Sequence, residues 1–314
     1  MSLLNEKFVD LGQPRRIWAI AAINGERERL ATLHDHIATR FSVCDRLVYL
    51  GNYIGAGAFD NLSVIEELLA FRAALLSKSG VETSDIVHLR GPSEEAWQRL
   101  LRLQFAPAPT QALERYLDFG AEAYLRLYGV SLNDTKSMAR AGSVAITRWT
   151  NQLRVLQRQA AGHEPFVCSF RRAAITSYEE NNTLLIPAGY DGRRPLEEQG
   201  DNLWFSGRPF SAPDKNQSIA RVVRGFDPMR GGIRTESAAV TLDGGCGQGG
   251  PLTCACFDGK SQILEIITIG GKGAIESSRF ENVPRPDLPT AESTPKNTPA
   301  QQPMLWSEKA SGAA

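Results

Sequence analysis

Asp45-Arg46-Leu47-Val48-Tyr49-Leu50-Gly51-Asn52-Tyr53-Ile54-Gly55-Ala56-Gly57 is the stretch on which the fold turns. Leu47 to Leu50 is a short apolar run that stops at a glycine, the pattern of a buried strand. The residues after it, Gly51 to Gly57, read as a turn at the end of that strand. The same grammar recurs on both sides. Ile17 to Ile23 is an apolar run ending in Asn24-Gly25, and Asp85 to Leu89 is another, followed by the turn Gly91-Pro92. Helical patterns separate the runs. Leu30, Leu33 and Ile37 share a face within residues 26–41, and Ile65, Leu68, Leu69 and Leu76 share one behind Ser63-Val64-Ile65-Glu66, a capping box in form. Ser93 can cap a third helix, with Glu94 and Glu95 in its first turn where the helix dipole favours carboxylates. The first 105 residues therefore read β-α-β-α-β-α, an order that favours a parallel sheet with helices packed on it.

Residues 109–160 are helical in pattern, through Leu113, Tyr116, Leu117, Tyr124, Leu125, Trp149, Leu153 and Leu156. From about Pro165 the texture changes to short β-type runs at 166–170, 173–178, 183–186, 219–223, 238–242, 252–257 and 262–267, punctuated by Gly-rich turns such as Asp243-Gly244-Gly245. From Glu281 the chain loses its apolar pattern. Six of the 17 prolines lie in this last stretch, a composition that predicts disorder. Met304-Leu305-Trp306 is an apolar island within it, read as a chance cluster or a short docking motif. The expected organisation is an arm over 1–14, a domain over 15–275 and a Pro-rich tail over 276–314.

Composition narrows the function classes. Lys+Arg and Asp+Glu both number 35, so net charge gives no reason to expect nucleic acid or an anionic membrane as partner. No apolar run is long enough for a membrane span, and the N-terminus lacks the basic and apolar regions of a secretory signal. The 5 cysteines are odd in number and sparse, which suits a reducing, cytoplasmic setting. Cys246, Cys254 and Cys256 cluster with no histidine after them, so buried thiols are expected there rather than zinc.

Three turns at the carboxyl ends of strands are where an α/β protein keeps its chemistry. Together with their spacing they resemble the calcineurin-like metallophosphoesterases, specifically the serine/threonine protein-phosphatase branch. That family carries GDxHG, GDxxDRG and GNHE after successive strands, then two isolated histidines. Ala21-Ala22-Ile23-Asn24-Gly25, Gly51-Asn52-Tyr53-Ile54-Gly55-Ala56-Gly57 and Arg90-Gly91-Pro92-Ser93-Glu94 stand in the first three places. Leu185-Ile186-Pro187-Ala188-Gly189 and Val222-Val223-Arg224-Gly225-Phe226-Asp227 stand in the last two, and Leu242-Asp243-Gly244-Gly245-Cys246 fits the closing turn. The resemblance spans about residues 15 to 270. It implies an α/β fold with a central β-sandwich of two mixed sheets, flanked by helices, with a helical insertion around 109–160.

The resemblance also implies a site, and the residues of this chain depart from it. Two divalent cations about 4 Å apart need anionic and imidazole ligands and a bridging carboxylate. The ligand positions are occupied by Ala22, Asn24, Asn52, Pro92, Pro187 and Phe226. Ser93 stands where the proton-donating histidine would be. Gly55 and Ala56 replace the Asp and Arg of the second motif, and only Glu94 of GNHE remains. Nothing in this set offsets dehydration of two hard cations, so no metal cofactor is expected. The implied protein is a pseudophosphatase that binds a protein partner or a phosphorylated ligand. The alternatives are a hydrolase rebuilt around Glu94, Asn24, Asn52 and Asp227, and an assembly subunit that uses its tail.

Other chemistry finds little support. A cysteine phosphatase needs an arginine six residues after its nucleophile, where this chain has Leu50, Ala174 or Leu252. His34 and His36 diverge on a helix and read as solvated. His88 reads as a core histidine, and His163 has no evident partner. Gly247-Gln248-Gly249-Gly250 lacks the Lys-Ser/Thr of a phosphate loop and reads as a turn. A metal-free anion site could draw on Arg90, Arg193, Arg194 and Arg224. These arginines could instead pair with Asp191, Asp227 or Glu94.

Overall fold

Arg16–Ile20 (β2) has apolar surroundings on both faces. Ile17 and Ala19 face Val48, Leu50, Val223 and Val240, whereas Trp18 and Ile20 face Leu30, Leu33, Val64 and Leu68. A strand covered by a second sheet on one side and helices on the other must be apolar throughout, which is why its sequence shows no alternation. The computed structural model describes residues 7–55, 61–205, 210–214 and 218–279. By its contacts the chain divides into Met1–Glu281 and Asn282–Ala314, and every described residue belongs to the first unit.

Two sheets form the sandwich. In the larger, β2 pairs in parallel with Asp45–Tyr49 (β3), and β3 with Ile86–His88 (β4). On its other side β2 pairs antiparallel with Leu252–Asp258 (β9), followed by Ile263–Ile269 (β10) and Ile275–Arg279 (β11), giving the order β11-β10-β9-β2-β3-β4. The smaller sheet runs Phe8–Asp10 (β1), Ala173–Ile175 (β5), Asn182–Ile186 (β6), Ile219–Arg224 (β7) and Ala239–Thr241 (β8), in the order β1-β5-β6-β7-β8. Only β5–β6 is antiparallel in it, so both sheets are mixed. The interior between the sheets is small and aliphatic, with Ala19, Ala21, Ala174 and Ala255 beside Leu185, Val223 and Val240.

The outer face of the larger sheet carries Arg27–Ala38 (α1), Asn61–Leu76 (α2) and Pro92–Leu100 (α3), whose buried stripes meet Trp18, Leu47 and Tyr49. The helical insertion follows as Pro109–Tyr116 (α4), Glu122–Leu127 (α5), Leu132–Arg140 (α6), Ser143–Gln159 (α7) and His163–Cys168 (α8). Leu203 and Trp204 of Asn202–Phe205 (α9) cover the outer face of the smaller sheet with Leu184, Ile186 and Val222. The expected two-sheet sandwich flanked by helices, with its insertion, is the architecture present.

Several local expectations need correction. Residues 166–170 are not a strand: α8 runs through Cys168, and Phe166 and Phe170, four apart, both pack on Tyr53. Gly162 in the left-handed region and Pro165 in the first turn mark that helix, and a short apolar run alone does not separate helix from strand. Ser63 lies inside α2 rather than at its cap. Gly91, not Ser93, is the N-cap of α3, with Pro92 at its first position and Glu94 accepting from the Gly91 N–H. His34 is buried, stacked 3.8 Å from the Phe71 ring and bonded to Tyr49 and Glu67. His163 is also buried, and its Nδ1 meets the Tyr128 hydroxyl at 3.1 Å. Within the expected arm, Phe8–Asp10 pairs into the smaller sheet as β1, and residues 276–279, expected in the tail, belong to β11. Ala56, Gly57 and the tail beyond Arg279, with its Met304-Leu305-Trp306 island, lie outside the described residues.

Candidate functional site

The turns after β2, β3 and β4 meet at one end of the sandwich, backbone against backbone. Ile23 and Asn24 both donate their N–H to the Asn52 carbonyl, at 3.0 and 2.9 Å, and Gly25 donates to that of Tyr53 at 3.0 Å. Asn24 (φ 49°) and Asn52 (φ 53°) adopt left-handed angles, which asparagine tolerates better than other residues with a side chain. A Cβ on Gly51 would lie 2.4 Å from the Gly91 nitrogen, so the second and third turns touch without room for a methyl. The Ala22 N–H reaches the Gly225 carbonyl at 3.0 Å and joins this end of the larger sheet to β7 of the smaller one.

Glu94 organises the contact. Its Oε2 accepts from the N–H of Asn52 at 2.8 Å and of Gly91 at 2.9 Å. Its Oε1 accepts from the Tyr53 N–H and the Tyr124 hydroxyl, both at 3.1 Å, and lies 2.9 Å from Ser93 Oγ. The residue is 1 % exposed, and burial pushes its carboxyl up despite these donors. Asn52 Oδ1 accepts from the Ser93 N–H at 3.1 Å and lies 3.0 Å from Ser93 Oγ. Asn24 donates its amide to the Cys246 carbonyl at 2.9 Å. Asn61 exchanges hydrogen bonds with the Gly55 backbone at 3.0 and 2.9 Å, which closes the second turn on itself.

The smaller sheet supplies a second internal network. Pro187 is buried, and its carbonyl accepts from Gly225 and Phe226. Asp227 is fully buried and receives the N–H groups of Met229 and Gly231 at 3.0 Å and the guanidiniums of Arg224 and Arg234 at 2.9 Å. Burial alone would push its carboxyl up, but these donors and cations outweigh burial and hold it below the ordinary range. Arg224 also donates to Thr241 Oγ1 at 2.9 Å and lies over the Phe210 ring. Asp243, whose carboxyl burial pushes up, accepts from the Asp227 and Gly245 N–H groups.

The remaining candidates lie apart. Arg90 pairs with Glu95, not Glu94, at 3.2 Å and sits over the Trp204 ring. Arg194 pairs with Asp191 at 3.5 Å, and Arg193 is exposed. The open space left at the junction is a cavity of about 90 Å³ lined by Asn24, Phe226, Arg230, Asp243, Cys246 and Gln248. Small-molecule sites typically measure ~300–1,000 Å³, so this one holds no more than an ion or a few waters. Asp243 reads from the sequence only as part of a turn and Tyr124 only as part of a helix, and Asn61 carries no signal there. The position of Asp243 just after β8 was the available signal, since the other turns follow strands in the same way. Tyr124 sits on a helical stripe that reads only as core.

The residues present do not fit a pair of divalent cations. Ala22, Pro92, Pro187 and Phe226 offer no side-chain donor, and Asn24 and Asn52 are neutral amides already bonded to protein. Among the described residues, no three His, Cys, Asp or Glu side chains form a group able to hold a metal.

No family model matches this sequence, and no curated protein matches it. Among solved structures the chain is similar to a candidate diadenosine tetraphosphatase, at 16% identity over 88% of this chain and 100% of that one, with a TM-score of 0.42. It is similar to hypothetical protein PH1004 from Pyrococcus horikoshii OT3, at 13% identity over 85% and 88%, with a TM-score of 0.41. It is also similar to a protein serine/threonine phosphatase from Saccharomyces cerevisiae with similarity to human phosphatase PP5, at 11% identity over 90% and 85%, with a TM-score of 0.39.

Proposed function

We propose that this chain, metallophosphoesterase-like in fold, is a pseudophosphatase that acts by binding a protein partner rather than by metal-dependent hydrolysis. One observation carries the proposal: the polar groups left at the phosphatase-like turns are spent on the protein itself. The single carboxylate in the turns after β2, β3 and β4, Glu94, faces donors on five residues and is 1 % exposed. Hydrolysis of the family's kind needs two cations and a water between them, and among the described residues no group of three His, Cys, Asp or Glu side chains is placed to hold a metal.

A phosphorylated ligand in place of a protein is less well supported, because Arg90, Arg194 and Arg224 each have a carboxylate partner. A hydrolase rebuilt around Glu94, Asn24, Asn52 and Asp227 is also less well supported, because Glu94 and Asp227 belong to separate, internally bonded networks. The five free cysteines favour a reducing, cytoplasmic setting. Among the described residues no helix is long and apolar enough to cross a membrane.

Metal analysis of the purified protein with a p-nitrophenyl phosphate assay tests the proposal. Substoichiometric manganese, iron and zinc are expected, with no turnover that added manganese restores. Stoichiometric metal together with turnover abolished by a chelator would overturn it.

A further inference from the structure

Among the described residues β1 ends the smaller sheet and β4 the larger, no further strand lies beyond either, and the two edges border one groove. Its volume is about 480 Å³, and its walls include Phe8, Asp10, Arg72, Ile86, His88 and Arg171. The segment before β5 closes one end, where the Arg171 N–H donates to the His88 carbonyl at 2.9 Å and the Arg172 N–H to the Lys7 carbonyl at 2.7 Å.

The backbone of β4 is only half satisfied. Its pairing with β3 turns Val87 inward and leaves Ile86 and His88 facing the groove, as the Leu89 N–H bonded to the Tyr49 carbonyl confirms. The Ile86 N–H is taken by the Thr83 carbonyl and the His88 carbonyl by Arg171. That leaves the Ile86 carbonyl and the His88 N–H without partners among the described residues, spaced as one residue of an added strand would engage them. The His88 ring is buried as well, and its Nε2 has no hydrogen-bond partner. Buried polar groups left unmade are costly, and a sheet edge is the usual place where an extended peptide makes them.

Charge selects among peptides. Arg72 has no carboxylate partner among the described residues, and the Arg171 guanidinium donates only to the carbonyls of Cys168, Ser169 and Phe170. The one carboxylate in the wall, Asp10, accepts from the Gly12 N–H and the Ser177 hydroxyl through Oδ1, so the wall sets two guanidiniums against one carboxylate. Phe8, Ile86 and Val87 supply apolar surface between these charges. We propose that this groove docks an extended acidic peptide segment of a partner protein, which adds as a strand to the free edge of β4 with its carboxylates toward Arg72 and Arg171. The groove shares no residue with the phosphatase-like turns. It goes beyond the reading above, and a failed titration would leave the loss of metal chemistry untouched.

The test uses the full chain and a fluorescein-labelled heptapeptide alternating Val and Glu, titrated by anisotropy. An edge that offers one carbonyl and one N–H gives weak binding, so saturation is expected only near about 1 mM. Replacing Glu by Lys in the peptide, or methylating alternate backbone nitrogens, should weaken binding at least tenfold. Arg72→Glu in the protein should do the same, and the His88 amide resonance should move and exchange more slowly with peptide bound. No saturable binding, or binding indifferent to Arg72→Glu with the His88 amide unmoved, would overturn the proposal. So would dimerisation of the chain alone in sedimentation that protects the His88 amide, since the edge would then belong to a second copy.

Discussion

Glu94 shows how one side chain changes role when its surroundings change. In the sequence it stands at the end of the segment that resembles GNHE. In the structure it ties the N–H groups of Gly91, Asn52 and Tyr53 to the hydroxyls of Ser93 and Tyr124, and so fastens α3, the second turn and the helical insertion together. Glu94→Gln keeps the shape but exchanges an acceptor for a donor, which faces at least one backbone N–H with nothing to accept it. The expected loss is about 2–3 kcal/mol in urea denaturation. A change below about 0.5 kcal/mol would mean that the carboxylate is not what holds the turns. Nothing in the sequence distinguished this role from the catalytic one. The donors around Glu94 lie 1 to 42 positions away, and only the fold brings them to one oxygen pair.

Among the elements, the strands of the larger sheet were legible because burial on both faces leaves runs such as Arg16–Ile20 and Leu252–Asp258 almost free of polar residues. β1 and α8 were not. Three residues are too few for a period to show, and Phe166-Val167-Cys168 fits either period. β11 was missed for another reason: all five of its residues are exposed, so it has no apolar pattern to read. Its work is to cover the outer edge of β10, whose sequence Ile-Leu-Glu-Ile-Ile-Thr-Ile has high β-propensity and one charge. Ser277 and Arg279 also cover Glu265 on that edge. Truncation after Gly270 would leave an apolar strand with an open ladder. Light scattering at matched concentrations should then rise well above that of the full chain. Equal scattering would show that the β10 edge needs no cover.

At the level of the whole molecule, all four histidines are held below their ordinary pKa, each chiefly by burial. His88 is pushed down furthest, to about 3, between the Tyr49 and Phe166 rings. Its folded value lies below the unfolded one near 6.5, so the unfolded chain takes up the proton first. The stability it permits is complete above about pH 6.5 and falls as pH drops toward 3. At pH 5 its share of the loss is about 2 kcal/mol. His88→Phe preserves the ring stack, so the difference in unfolding free energy between pH 7.5 and pH 5.0 should shrink by about that amount. An unchanged difference would place the acid sensitivity elsewhere. The architecture was readable at this scale because turn spacing and strand order survive in the chain. The inward bonding of the site was not, because a sequence names side chains without saying what they hold. Asn52 and Glu94 contact the same Ser93 hydroxyl, so Asn52→Asp would set a second carboxylate beside the first in a buried pocket, with no cation among the described residues to offset it.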